Sequence, residues 1–326
     1  MPAHARRARP VRAVTVACLV LVVANACGGG SSKTSSGPHT AVIVAAGDLA
    51  CGEAPTPDDV ERRCRYDLVG RLVASLAPDR FLAIGDIQHS MGGPPDYAAY
   101  YGASFGGLKP ITSPTPGDVD WVPSPDAYFA YFGSAAGPPD GYYSFDLGSW
   151  HIISLNSRDC FDADGCDPDS AQFEWLRADL ASHTNSLYPC TLAFFADPRF
   201  LWVDWWQHDG RPRGPETRVT ALWSLLSESG VDVVINGGAH NYERWAPQDV
   251  DGKVDPTRGI TEFVVGTGGK RLIPFGPLPR PTHLVAAQDV AYGALRMELG
   301  ATGLSYSWRS AAEQPTFHDD GAVACH

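Results

Sequence analysis

Short apolar runs, each closed by glycine, recur along the chain and predict the buried strands of an α/β sheet. Thr40–Ala46 and Arg80–Ile84 each end in Gly-Asp, and Val231–Ile235 ends in Asn-Gly-Gly. Runs of this length and composition are typical of strands and too short for globular helices. Further strands are predicted at Leu108–Pro116, Cys190–Phe195, Thr261–Val265, Gly293–Leu299 and Leu304–Ser310, with a hairpin formed by Tyr142–Asp146 and His151–Asn156.

Apolar residues at helical spacing predict three helices between these strands. The first is expected to be capped by Thr56 or Asp58 and to end at Leu76. The others are Ser170–Ser182 and Thr217–Glu228. Strands that alternate with helices around paired hairpins predict an α/β fold, here a four-layer α/β/β/α sandwich.

Residues 1–26 have the pattern of a signal peptide, with four arginines before an apolar run that is too short to span a bilayer. Ala24-Asn25-Ala26-Cys27 resembles a bacterial lipobox in which Ala24 replaces the usual leucine. Residues 27–38 read as a Gly/Ser-rich tether before a domain at 39–326. Two alternatives follow for the exported protein. It is either a cell-surface lipoprotein that contacts the membrane only through a lipid on Cys27, or a freely secreted protein.

Six cysteines lie in the domain at 39–326, an even number that suits disulfides in an oxidising compartment. Proximity along the chain favours pairing Cys51 with Cys64 and Cys160 with Cys166, which leaves Cys190 for Cys325. A cysteine metal site is disfavoured because the sequence contains no Cys-x-x-Cys pair. The formal net charge of −12 argues against a nucleic-acid-binding protein.

Three strand-like segments deliver a Gly-Asp pair to a loop, at Asp48, Asp86 and Asp118. Glycine allows the backbone to turn sharply, and aspartate offers the oxygen ligands that hard cations prefer. His240 lies beyond a fourth strand, where open α/β sheets collect their ligands. Each aspartate taken alone could be an ordinary turn or cap residue, but the set predicts a metal site.

These motifs resemble those of the calcineurin-like metallophosphoesterases, of the secreted purple-acid-phosphatase-like kind. The resemblance extends over nearly all of Thr40–His326 and includes Gly141–His151 and Ala246–Asp249. In that family two metal ions bind a phosphate ester while a nearby histidine assists the reaction. The resemblance implies that Asp48 and His240 bind the first metal and that Asp86 bridges both.

The chain also departs from the family pattern. Gly238 and Ala239 stand where Gly-His-Asp-His-Asn-Tyr-Glu-Arg has its first His and Asp. Val119 replaces the assisting histidine, so no catalytic residue is assigned, and Ala196 replaces a ligand. His89 stands at a tyrosine ligand position, where either metal ligation or solvent-exposed drift is possible. The implied cofactor is at most one ion of Fe, Zn or Mn, with the ligand set Asp48, Asp86, His89, Asp118 and His240.

Two functions follow from this degraded site. The first is an exported family member that is weakly active or inactive toward phosphate esters and serves as a binding or scaffold module. The second is an active phosphomonoesterase with a one-metal or rebuilt site, in which Asp118 or Asp120 compensates in part. A purely structural metal is a third reading. The tryptophans Trp202, Trp205 and Trp206 could stack on a substrate or pack over the mouth of the site.

Overall fold

The computed structural model describes residues 40–56, 63–89, 93–121, 124–161, 165–183, 188–202, 217–277, 279–313 and 317–326. The signal peptide, the tether and Cys27 lie outside these residues and stay predictions. So does most of the tryptophan-rich segment, including Trp205 and Trp206.

Fifteen strands occur in the described chain: β1 Ala41–Gly47, β2 Ala50–Cys51, β3 Arg80–Ile84, β4 Gln88–His89, β5 Thr112–Thr115, β6 Tyr143–Leu147, β7 Trp150–Ser154, β8 Cys190–Phe195, β9 Val233–Asn236, β10 Tyr242–Trp245, β11 Thr261–Val265, β12 Leu284–Gln288, β13 Gly293–Leu299, β14 Gly303–Ser310 and β15 Asp320–Ala324. The α-helices of the same part of the chain are α1 Tyr66–Ser75, α2 Pro94–Asp96, α3 Gly102–Phe105, α4 Asp118–Trp121, α5 Asp126–Phe132, α6 Ala171–Ser182 and α7 Thr220–Glu228. One π-helical turn, Tyr97–Tyr101, and the 3-10 segments Gly106–Ile111, Gly133–Ala136 and Ser157–Phe161 complete the set.

These strands form two large sheets and one small pair. The first sheet has the order β15-β14-β13-β1-β3-β5, and the second has the order β12-β10-β11-β9-β8-β7-β6. The central pairs β1–β3 and β3–β5 are parallel, as are β7–β8, β8–β9 and β9–β11. The carboxyl ends of several strands therefore meet at one edge of each sheet.

The predicted four-layer α/β/β/α sandwich is confirmed. Ile43 and Leu82 of the first sheet pack in one buried core with Phe194 and Ile235 of the second. Helix α1 and the helical segments between residues 94 and 136 cover the outer face of the first sheet. Helices α6 and α7 cover the outer face of the second. Alternate residues of each central strand thus face opposite cores.

The start of the first helix was predicted wrongly. Helix α1 begins at Tyr66, and its N-cap Arg65 makes no side-chain capping bond, so Thr56 does not cap it. Residues 63–65 are held in a non-helical path because Cys64 is bonded to Cys51 and the Arg65 backbone N–H donates to the Gly269 carbonyl. Asp58 lies outside the described residues.

Other strand boundaries differ in ways that local sequence could not specify. The segment predicted as extended from Leu108 begins as a 3-10 turn, and its strand covers only Thr112–Thr115. Strands β10, β12 and β15 were not predicted. Each of them pairs with a strand distant along the chain or lies at a sheet edge. Their partners, more than their own composition, make them strands.

All three predicted disulfides are present: Cys51–Cys64, Cys160–Cys166 and Cys190–Cys325. The last links residues 135 positions apart and ties the carboxyl-terminal strand β15 to the second sheet. Crosslinks that close long loops restrict the unfolded chain most. Asp232 lies beside this bond, but the two sulfurs are bonded to each other and so do not offer thiolates to a metal.

A compact charged cluster fastens the β6–β7 hairpin to α6. His151, 1% exposed, contacts Asp146 through Nδ1 at 2.9 Å and Asp179 through Nε2 at 2.7 Å. The His183 ring stacks on His151, with centroids 3.6 Å apart and an interplanar angle of 14°. Lone pairs that lie in parallel ring planes do not converge on one ion. We therefore interpret these residues as a proton-holding cluster.

The protonation of this cluster follows from its contacts. Burial lowers the pKa of His151, but its hydrogen bonds to Asp179 and Asp146 outweigh burial and raise that pKa overall. Burial raises the pKa of Asp179, but hydrogen bonds from His151 and Ser144 outweigh burial and lower that pKa. An imidazolium ion between carboxylates is consequently favoured in the folded state.

This arrangement predicts a pH-dependent contribution to stability. The raised pKa of His151 adds stability that is fully present below the unfolded value of about 6.5 and is lost as pH rises through the folded value. We expect His151→Gln to lower the free energy of unfolding more at about pH 5.5 than at about pH 8.5. Urea unfolding at both pH values measures this. His318→Gln, at an exposed position, is the control, and an equal loss at both pH values would contradict the prediction.

Candidate metal centre

Three of the predicted ligands sit at strand ends in an unusual backbone conformation. Asp48 follows β1 with φ 54°, Asp86 follows β3 with φ 49°, and His240 follows β9 with φ 48°. Among the described non-glycine residues, Ala77 is the remaining one with positive φ. Such conformations cost free energy and concentrate at functional sites. The observed strain therefore singles out these three predicted residues.

Close approach of the strands brings their loops together. A β-carbon at Gly47 would lie 2.3 Å from the Ile84 carbonyl oxygen and 2.8 Å from the Gly237 Cα. Glycine at this position is thus required for the ends of β1, β3 and β9 to converge. The residues that follow each strand then face a common space.

Three ligand atoms meet in that space. Asp48 Oδ1 lies 3.0 Å from His240 Nε2 and 3.8 Å from His89 Nε2, and all three atoms lie within 4.8 Å of one another. The side chains of Asp48, His89 and His240 are 0%, 8% and 10% exposed. The imidazole rings are nearly perpendicular, with an interplanar angle of 82°, so their in-plane lone pairs can converge.

The hydrogen bonds of these groups leave ligand atoms directed inward. His240 Nδ1 lies 2.8 Å from the Arg271 carbonyl oxygen and donates to it, so in the metal-binding tautomer the lone pair of the ring is on Nε2. Asp48 Oδ1 and His89 Nε2 are buried and make no hydrogen bond; the 3.0 Å contact of Asp48 with His240 lacks hydrogen-bond geometry. Buried polar atoms without partners are costly unless a ligand satisfies them. The donor set fits one transition-metal ion.

The sequence allows His89 to be either a metal ligand or a solvent-exposed replacement. Because it is 8% exposed, the alternative of solvent-exposed drift is wrong. Burial lowers the pKa of His89, and the positive charges of His240 and Lys270 lower it further. The imidazole is therefore neutral, the form in which histidine binds metals.

Asp86 and Asp118 add negative charge beside this cluster. Burial raises the pKa of Asp86 well above its ordinary value, and the charges of Asp118, Asp48 and Asp120 raise it further. A side-chain hydrogen bond with Asp118 contributes in the same direction. Asp118 is exposed at the start of α4, and the Val119 N–H donates to Asp86 Oδ1 at 3.3 Å. Crowded carboxylates of this kind favour a nearby cation.

Asp120 has a structural role and does not compensate for a lost ligand. Its buried carboxylate accepts from the backbone N–H groups of Ile87, Gln88 and Gly117 and from the Tyr97 hydroxyl at 2.6 Å. Burial raises the pKa of Asp120 to about 6, although these hydrogen bonds oppose the increase. The carboxylate thereby fixes the two loops that carry His89 and Asp118. Sequence alone did not distinguish this clamp from a ligand.

Ala196 and Gly238, two of the positions that depart from the family pattern, lie next to each other. Ala196 is 3% exposed. A β-carbon on Gly85 would lie 2.4 Å from the Cβ of Ala196. A β-carbon on Gly238, where φ is +69°, would lie 2.9 Å from the Ala196 carbonyl oxygen. The neighbouring Asp197 is engaged elsewhere, since it accepts from the Ser157 hydroxyl at 2.7 Å. Valine 119, alanine 196 and glycine 238 offer no side-chain ligand atom.

Trp202 packs at the edge of the site. Its ring stacks on Phe275 at a centroid distance of 4.4 Å, and its backbone N–H donates to the Glu243 carboxylate. Ile273, two residues before Phe275, donates its N–H to the His240 carbonyl. The packing interpretation of Trp202 is thus favoured over stacking on a substrate.

Two contributors near the site were missed in the sequence. Gly266–Gly269 forms a glycine turn after β11, in which the Gly268 N–H donates to the Gly47 carbonyl. The next two residues matter more: the Lys270 N–H donates to the Asp48 carbonyl at 2.9 Å, and Arg271 accepts from His240. A lysine placed directly after a glycine turn that closes a strand was the available signal.

Comparison with curated proteins finds similarity to phosphatases. Over 170 residues the chain is 31% identical to purple acid phosphatase 22 of Arabidopsis thaliana, covering 51% of this chain and 36% of that protein. The chain thus spans little more than a third of that relative's length. No protein-family model matches the chain.

Solved structures agree in fold. The purple acid phosphatase PPD1 from yellow lupin seeds superimposes with a TM-score of 0.64 at 16% identity, covering 88% of this chain and 54% of that one. A dimetal phosphatase from Danio rerio gives a TM-score of 0.57 at 13% identity, covering 88% of this chain and 99% of that one. At these identities the likeness concerns the fold.

A substitution at Gly238 tests whether the backbone there can still accept a side chain. We expect Gly238→Ala to cost at least about 1 kcal/mol more unfolding free energy than Gly230→Ala. Both positions have positive φ, but a β-carbon at Gly230 would meet no atom within 4 Å. Thermal or urea unfolding of the two variants isolates the steric contribution. Equal losses would show that residue 238 could accept a side chain.

Proposed function

We propose, because the chain has the calcineurin-like metallophosphoesterase fold, that it is an exported member of this group with one metal position. On this proposal it hydrolyses phosphate esters weakly or not at all and serves as a binding or scaffold module. The proposal extends the similarity to purple acid phosphatases to activity and substrate class.

One observation carries the metal position. Asp48 Oδ1, His89 Nε2 and His240 Nε2 face one another within 4.8 Å, and two of these buried atoms make no hydrogen bond. Asp86, and Asp118 beside it, would complete the ligand set with oxygen. An Fe, Zn or Mn ion bound here would act as a Lewis acid on a phosphoryl oxygen. Asp48 and the two imidazoles would hold it, with His240 oriented by the Arg271 carbonyl.

We propose weak or absent hydrolysis because of the residues at the family's second-metal and assisting-histidine positions. Its three family ligand or assisting positions are Val119, Ala196 and Gly238. Two-metal phosphoesterases use both ions to stabilise the attacking and leaving oxygens. Val119, Ala196 and Gly238 can neither bind a second metal ion nor transfer a proton. At these three positions nothing therefore replaces the charge of the second ion or the assisting histidine.

Export is proposed from the leader and is supported by the three disulfides, which persist in oxidising compartments. In the part of the chain that the structure describes, no helix is both long and apolar enough to cross a membrane. Lipid attachment at Cys27 remains one of the two exported forms proposed from the sequence.

An active phosphomonoesterase is the second candidate. The observation that favours it is the exposed carboxylate of Asp118 beside Asp86, which a rebuilt site could use for an additional cation. On that reading the substrate is a phosphate ester that the metal and Asp118 bind together. Measured turnover separates the two candidates.

We expect the purified, metal-reconstituted protein to hold at most one equivalent of Fe, Zn or Mn and to hydrolyse an aryl phosphate far more slowly than a two-metal enzyme. Metal analysis and turnover with each added metal measure this. Asp48→Asn should abolish binding, because it removes a ligand charge from the centre of the cluster. Two equivalents with rapid hydrolysis would contradict the proposal.

Restoring ligands tests whether the second position lacks only imidazoles. We expect the double variant Val119→His, Ala196→His, which leaves the Gly238 backbone intact, to bind more than one equivalent of Zn²⁺ and to gain hydrolysis. Adding Gly238→His should lower the melting temperature, because φ is +69° at this residue. Unchanged metal content in a folded double variant would mean that the departures reach beyond the side chains.

A further inference from the structure

Lys270 is attached directly to the metal-ligand loop. Its backbone N–H donates to the Asp48 carbonyl at 2.9 Å, two residues after Gly268 donates to the Gly47 carbonyl at the same distance. The glycine turn after β11 is thereby fixed against the carboxyl end of β1. The Lys270 side chain is half-buried, so it begins beside Asp48 and does not extend freely into solvent.

Acidic groups surround this half-buried side chain. Burial lowers the pKa of Lys270, while the negative charges of Glu53, Asp48 and Asp86 oppose that decrease. The same ammonium group is one of the charges that lower the pKa of His89. Because its backbone N–H is bonded to the Asp48 carbonyl and its side chain is half-buried, Lys270 shares the charged surroundings of the cluster.

The charges of the proposed carboxylate ligands are matched by one ion and Lys270. When a bound cation keeps all three ionised, Asp48, Asp86 and Asp118 carry three negative charges, and ligating imidazoles are neutral. One divalent ion together with the Lys270 ammonium gives three positive charges. Among these groups, a second ion is not needed to match the ligand charge.

We propose that Lys270 supplies the second positive charge of this site and holds an oxygen of a phosphate group bound at the single metal. This inference rests on the proposed function, since it requires the metal at Asp48, His89 and His240. A lysine ammonium binds phosphate as a compact point charge. Lys270 is thus a substrate-binding residue for phosphate monoesters and inorganic phosphate. The rival role is structural, a counter-ion that merely stabilises the acidic loops.

Opposite changes in two affinities distinguish these roles. Removing a positive charge from among carboxylates should strengthen cation binding, while removing a phosphate contact should weaken anion binding. We expect Lys270→Met to raise Zn²⁺ affinity about tenfold and to lower the affinity of the zinc-loaded protein for inorganic phosphate about tenfold or more. Methionine keeps the length of the apolar stem, so packing is largely preserved.

Isothermal titration calorimetry of the full chain at low salt measures both affinities, first with Zn²⁺ and then with inorganic phosphate. Lys270→Arg keeps the charge and should hold both affinities within about threefold of wild type. Lys253→Met, at an exposed position, is the matched control and should change neither. Lys270→Gln is a second neutral variant in case Lys270→Met folds poorly, and melting temperatures are compared throughout.

The outcomes separate the inference from the proposal beneath it. Zinc binding by wild type with equal phosphate affinities in all variants overturns the role of Lys270 alone. A parallel loss of zinc affinity, phosphate affinity and melting temperature in both neutral variants identifies a structural residue and also overturns it. Failure of the wild-type chain to bind zinc contradicts the proposed function and the inference together.

Discussion

The site depends on three lone pairs that face one another inside a buried space. Asp48 Oδ1 and His89 Nε2 could each have been satisfied by a protein hydrogen bond, as nearly all buried polar atoms are, but neither of them makes one. His240 donates from Nδ1 to the Arg271 carbonyl, and its Nε2 lies 3.0 Å from Asp48 Oδ1. The surrounding fold maintains this arrangement with positive φ angles at strand ends and with Asp120, which clamps the loop that carries His89.

Two clusters of aspartate and histidine in this chain show why residue type does not decide function. Around Asp48 the imidazoles are perpendicular, so their lone pairs can meet at an ion. Around His151 the imidazoles are parallel and stacked, and both nitrogens of His151 contact carboxylates. The first arrangement suits a metal, and the second suits a retained proton. Ring orientation, which is set by packing against different elements, makes the difference.

The crowded carboxylates beside Asp48 and the lysine at position 270 belong to one electrostatic arrangement. Loss of histidines at a second metal position would leave Asp86 and Asp118 as crowded carboxylates, and burial together with their mutual repulsion raises the pKa of Asp86. A lysine next to the Asp48 loop offsets part of this negative charge without any further ligand. A site can therefore lose an ion and still keep a charge suited to phosphate, although a fixed ammonium group does not have the Lewis acidity of a metal.

The sequence by itself determined the local features: the strands Arg80–Ile84, Cys190–Phe195, Thr261–Val265 and Gly293–Leu299 with their observed bounds, the three disulfide pairs and the loop positions of Asp48, Asp86 and His240. Apolar periodicity and glycine placement encode these features within a few residues. Tertiary structure decided the start of α1, the edge strands, the burial of His89, the clamp role of Asp120 and the neighbourhood of Lys270. Each of those depends on contacts between residues far apart in the chain, which no local pattern records.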